Sequence, residues 1–135
     1  MNIIQSTKQE LYYTKDHDWI DFQGIIAYIG ICKFKLTGFK QIHSIHFQEA
    51  LGFKRKGDVI ATIKYNDYVI EAHMPVEGRV LNVNNKLTPG NLNILLECCE
   101  SSAWIALIEP SDPLERDELL LANQYHLSGK RKQAK

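Results

Sequence analysis

The chain has 135 residues, 44% of them hydrophobic, with 16 basic and 16 acidic side chains and therefore no formal net charge. That length predicts one domain able to bury roughly two thirds of its unfolded surface. Charge balance gives no long-range attraction to nucleic acid or an anionic membrane, and no apolar run approaches the length of a membrane span.

Residues 1–10 show little periodicity and no secretory pattern, so they are expected to form a loosely docked arm on a cytoplasmic protein. An odd count of three cysteines, with Cys98 and Cys99 adjacent, is no disulfide framework and agrees with a reducing compartment. Leu95-Leu96-Glu97-Cys98-Cys99 reads as an apolar segment using cysteine as a small hydrophobe, ahead of a redox pair.

In the domain expected over 11–127, Asp16 and Asp18 flank His17 just before an apolar segment. A metal site or acid/base pair is one reading; a turn whose short side chains bond the local backbone is the simpler one. Trp19 to Phe22 and Gly24 to Cys32 then predict two strands joined at Gln23-Gly24, apolar on both faces as a sandwich or barrel requires. Gln41 to Phe47 is a further strand, where His43 and His46 point to opposite faces and cannot chelate a metal by themselves. Lys54-Arg55-Lys56 reads as a solvated turn, with no need of nucleic acid to explain it.

From Gly57 to Pro75 the chain folds back on itself with a period of two. A turn at Asn66-Asp67 sets Tyr65 against Tyr68, Ile63 against Ile70, Ala61 against Ala72 and Val59 against Met74, all apolar. Lys64/Val69, Thr62/Glu71 and Ile60/His73 fill the other, mostly polar face, and a one-residue slip would scramble both. Beyond the hairpin, Gly78 is expected to supply a turn conformation that residues with a Cβ avoid, before a strand over 79–83. Trp104 to Ile108 alternates as a last strand. Asp112, Pro113 and Glu115 then form a helix-start signature, with Leu114, Leu121 and Tyr125 as the stripe that packs on the sheet. The basic residues of 128–135 form a tail expected to be disordered.

Several of these stretches occur together in one known family. Tyr13-Thr14-Lys15-Asp16-His17-Asp18-Trp19, Gly30-Ile31, Pro75-Val76-Glu77-Gly78-Arg79-Val80-Leu81-Asn82-Val83-Asn84, Trp104 and Ser111-Asp112-Pro113-Leu114-Glu115 resemble, in order, motifs of the glycine cleavage system H protein. The resemblance implies a mainly β, lipoyl-domain-like barrel-sandwich hybrid of two small antiparallel sheets with a C-terminal helix. It also implies a carrier hairpin whose turn lysine bears the lipoyl group, with Pro eight residues and Gly eleven residues further on. Counting back from Pro75 and from Gly78 reaches Asp67 both times.

Amide formation requires an amine, so no lipoyl group is expected at Asp67, and neither a metal nor a catalytic residue is expected elsewhere. Lys64, three residues before the turn, is the substitute considered under the alternative of a working carrier. The main expectation is a non-enzymatic interaction or regulatory module with protein partners among glycine cleavage or lipoate-handling enzymes. Tyr65, Asn66, Asp67 and Tyr68 are the docking candidates, although the two tyrosines also suit a structural clasp of the hairpin. A small-molecule or metal-binding protein using His and Cys side chains is the third class.

Overall fold

A computed structural model of the protein describes residues 11–48, 51–87, 92–97, 103–116, 118–121 and 124–125. The expected arm over 1–10, the pair Cys98-Cys99 and the tail over 128–135 lie outside them. The described strands are β1 (Leu11–Tyr13), β2 (Asp18–Gln23), β3 (Ile26–Ile31), β4 (Ser44–Phe47), β5 (Gly52–Lys54), β6 (Val59–Tyr65), β7 (Tyr68–His73), β8 (Gly78–Val83), β9 (Ala106–Pro110) and β10 (Leu120–Leu121). They form two antiparallel sheets, one of seven strands in the order β10-β1-β2-β3-β9-β8-β5 and one of three in the order β4-β6-β7.

Alternation along β2 and β3 explains why the larger sheet is covered on both faces. Ile20, Ala27 and Ile29 enter the main core, where they meet Ile60, Ala61, Ile63, Ala72 and Met74 from around the smaller sheet. Their neighbours Trp19 and Tyr28 join a second apolar cluster with Tyr13, Cys32, Trp104 and Tyr125. The two-residue turn between β2 and β3 is Gly24-Ile25, one position later than Gln23-Gly24, because Gln23 pairs with Ile26. Gly24 takes φ 70°, the left-handed value that such a turn favours in glycine.

Three short strands, β1, β5 and β10, carry too few residues for periodicity to reveal them. The strand expected over 41–47 is regular only in β4, and the last long strand begins at Ala106 rather than Trp104. Gly78 is not in a left-handed turn; it opens β8 opposite Pro110, and a Cβ there would sit 2.6 Å from the Glu109 carbonyl oxygen. Close approach of two backbones, rather than φ, requires glycine.

The C-terminal segment corrects the expected helix start. Asp112 does cap a turn, accepting the Leu114 N–H at 3.0 Å, but Glu118 turns left-handed (φ 69°) and the chain goes on to pair β10 with β1. Leu114, expected on the packed stripe, is 82% exposed. What holds this segment is Arg116, whose guanidinium lies 3.5 Å from the centroid of the Phe22 ring and 5.1 Å from that of Tyr12. Gln124 and Tyr125 are helical and Tyr125 stacks on Tyr13 with centroids 4.5 Å apart, while Leu121 of the expected stripe lies in β10.

Gly30 faces the fully buried Trp19, whose Nε1 donates to the Ile31 carbonyl at 3.1 Å, and a Cβ at Gly30 would fall 2.5 Å from the indole ring. Gly30→Ala is therefore expected to destabilise the fold by about 3 kcal/mol through overpacking, read as a lowered urea midpoint at unchanged slope.

Candidate functional site

The hairpin β6–β7 pairs Tyr65 with Tyr68, Lys64 with Val69, Ile63 with Ile70, Thr62 with Glu71 and Ala61 with Ala72, the register its alternation predicts. Lower down it departs. A bulge between Val59 and Ala61 pairs His73 with Val59 in place of Ile60, and both Ile60 and Ala61 are buried. The extra residue re-aims the strand at the root of the hairpin.

At that root His73 meets Asp18, a carboxylate only 1% exposed at the start of β2. Asp18 is no turn residue, nor part of an acid/base pair with Asp16. Its Oδ2 lies 3.1 Å from His73 Nδ1 and its Oδ1 accepts from Lys35 Nζ at 2.9 Å. Lys35 belongs to a 3-10 helix, Lys33–Leu36, and its ammonium also donates to the Glu71 carbonyl at 2.7 Å. The Glu71 carboxylate lies 3.4 Å from His73 Nε2. The hydrogen bond to Asp18 raises the His73 pKa above 6.5, outweighing the opposing effect of burial, with the Asp18 charge adding to the rise. The local backbone at residues 16 and 18 is instead bonded by Thr14, whose Oγ1 accepts both N–H groups at 3.2 Å.

Beside this cluster lies a cleft of about 400 Å³, with Asp16 and His17 from the first turn and Val69, Ile70 and Glu71 of β7 in its lining. Among the described residues no group of three His, Cys, Asp or Glu side chains could hold a metal ion. The described cluster instead works as an electrostatic tie between the two sheets.

At the far end of the hairpin Asn66 takes φ 54°, the left-handed conformation open to asparagine, while Asp67 does not. Side chains 65 and 68 share one face, and their rings lie nearly parallel with centroids 6.4 Å apart. Phe39 packs against both, 5.5 Å from Tyr65 and 6.1 Å from Tyr68. His43 contacts the Tyr65 ring edge-on, and its Nδ1 accepts the Asn66 N–H at 3.1 Å. Its Nε2 lies 2.8 Å from the Gln41 side-chain amide nitrogen. The turn is thus clamped from outside the hairpin, by Phe39, which the sequence does not mark, and by His43, which it suggests only as a metal ligand.

The docking candidates are brought together: Asn66, Asp67 and Tyr68 are exposed and Tyr65 is half-buried. Lys64 is exposed on the strand, between Ser44 and Val69. It points away from the tyrosine face, since successive strand residues alternate.

A profile described as glycine cleavage H-protein matches residues 11–132. The chain belongs to this family. Glycine cleavage system H proteins from Thermoanaerobacter sp. (strain X514) and Anoxybacillus flavithermus are 32% and 31% identical to it, over 85% and 89% of this chain and 90% and 94% of theirs. The crystal structure of an H protein from Mycobacterium marinum superposes with a TM-score of 0.74 at 18% identity, covering 89% of this chain and 96% of that one, which shows the shared fold. An H-protein fold accounts for the mainly β architecture of two antiparallel sheets. No helix among the described residues is long and apolar enough to cross a membrane.

The Asp18 cluster generates two expectations. Asp18→Asn leaves Lys35 and His73 facing a neutral partner and should cost about 2 kcal/mol in chemical denaturation. His73 has a folded pKa above its unfolded value, so its stabilisation is complete below about pH 6.5 and is lost as the pH rises through the folded value. The Tm difference between the native protein and His73→Gln should therefore be larger at about pH 5.5 than at about pH 8.5.

Proposed function

We propose that this protein is an H-protein-family domain that works without a lipoyl group, as a non-enzymatic interaction or regulatory module of glycine cleavage or lipoate metabolism. The observation that carries this reading is the hairpin tip itself. The H-protein resemblance puts a lipoyl-bearing lysine at the turn, and the turn here consists of Asn66 and Asp67. An amide to a lipoyl carboxyl needs a primary amine, and a carboxamide and a carboxylate supply none. The residues at the turn do not fit the group.

Rigidity supports a docking role for the same tip. The turn is held by His43 and by the packing of Phe39 on two tyrosines, so Asn66, Asp67 and Tyr68 are displayed at little entropic cost of ordering. Exposed aromatic residues on a fixed element suit protein contacts. Such a tip can occupy the surface on which a glycine cleavage or lipoate-handling enzyme receives an ordinary H protein. It would do so without delivering an aminomethyl group.

The second reading is a working carrier modified at Lys64, which is exposed and in no ion pair among the described residues. An arm leaving from there starts about 10 Å down the strand from the turn.

Intact mass, after co-expression with an active lipoate ligase and beside an ordinary H protein as control, separates the two. The unmodified mass is expected; a lipoyl adduct mapped to Lys64 would establish the carrier instead. Competition tests the docking half. The native chain should displace a lipoylated H protein from the decarboxylating enzyme or the lipoate ligase, and Tyr65→Ala/Tyr68→Ala should weaken that displacement at least about tenfold. Undiminished competition by the double variant would remove the tip from the interface.

A further inference from the structure

Resting on the proposed docking role, we infer that the tip receives a cationic side chain of the partner, an arginine in particular, held between the Asp67 carboxylate and the Phe39, Tyr65 and Tyr68 rings. The first observation is that Asp67 is exposed at the turn and has no hydrogen bond or ion pair among the described residues. Other carboxylates near the hairpin are engaged: Asp18 by Lys35 and His73, and Glu71 by His73. A partner surface that covers the turn must therefore desolvate a free carboxylate. Burial without a counter-charge costs several kcal/mol, so a bare apolar surface is disfavoured and a cation is selected.

The second observation is aromatic. Phe39, Tyr65 and Tyr68 form a triangle of ring centroids 5.5, 6.1 and 6.4 Å on a side, and Tyr68 is 63% exposed. Ring faces carry the negative end of the quadrupole and attract cations within about 6 Å of a centroid, which discourages an anion for the same reason that Asp67 does. Each contribution is small in water; together they select one sign of charge.

Competing cations of the chain itself do not fill the position. Lys64 lies on the opposite face of β6 from the tyrosines, and neither it nor the exposed Lys40 forms an ion pair with Asp67 among the described residues. Arginine fits better than lysine. Its planar guanidinium pairs with a carboxylate through two parallel N–H donors, stacks on an aromatic face and is weakly hydrated. Arg116 on the other sheet already adopts the stacked arrangement, over Phe22 and Tyr12.

The test is a titration of the full-length, isotope-labelled protein with N-acetyl-arginine methylamide, monitored by backbone amide shifts. Its uncharged isostere N-acetyl-citrulline methylamide and the apolar N-acetyl-norleucine methylamide serve as controls. Saturable shifts confined to Phe39 and residues 65–69 are expected with the arginine derivative, and binding should weaken about fivefold or more with citrulline, with Asp67→Asn or on raising the salt. Absence of shifts, equal binding of citrulline or norleucine, or full binding to Asp67→Asn would each overturn the inference. The Asp67→Asn variant in the competition assay keeps the two readings apart. Competition lost with Tyr65→Ala/Tyr68→Ala but kept with Asp67→Asn overturns the cation site and leaves the docking surface; arginine binding at a tip that competes for nothing supports the cation site and removes the docking role.

Discussion

The arrangement depends on one buried carboxylate. Asp18 begins β2 in the larger sheet, and its two oxygens are taken by Lys35 of the 3-10 helix and by His73 at the end of β7 in the smaller one. A carboxylate withdrawn from water must keep its partners, so the two sheets and the helical turn between them are held in one relation. Hydrophobic burial brings the sheets together without specifying direction. The ion-paired cluster adds the direction, because its hydrogen bonds are short and angular.

From that anchored root the hairpin runs outward to a second constraint at its tip. Two-stranded ribbons are marginal alone, and here β4 supports β6 along one side while His43 and Phe39 grip the turn. The bulge at Val59/Ala61 links the two constraints. It buries both Ile60 and Ala61 and turns His73 toward Asp18, so the root is tied and the tip is displayed by the same strand pair. At the tip the chain displays the packed rings of Phe39, Tyr65 and Tyr68, and at the turn Asp67, whose carboxylate is in no ion pair among the described residues.

Some of this was legible in the residues and some was not. Period-two alternation from Ala61 to Ala72 yielded five cross-strand pairs, and the order of motifs from Tyr13 to Glu115 pointed to the family. The helix expected after Asp112 fails because a cap and a proline can start a turn but cannot make the next residues helical. Arg116 finds two aromatic faces on the sheet, and β10 finds a free edge on β1. Gly78 was a right residue for a wrong reason, being needed for a close backbone crossing that only the packed sheet creates.

By itself the sequence determined which segments form the long strands, where the hairpin turns and that the turn carries no amine, since side-chain periodicity and residue identity are local properties of the chain. Tertiary structure alone decided that Asp18 meets Lys35 and His73, and that Phe39 and His43 close on Tyr65 and Tyr68. Those partners are 17 and 55 positions apart in the first case and 22 to 29 in the second. Contacts at such separations depend on how whole sheets pack, and no local pattern of residues encodes them.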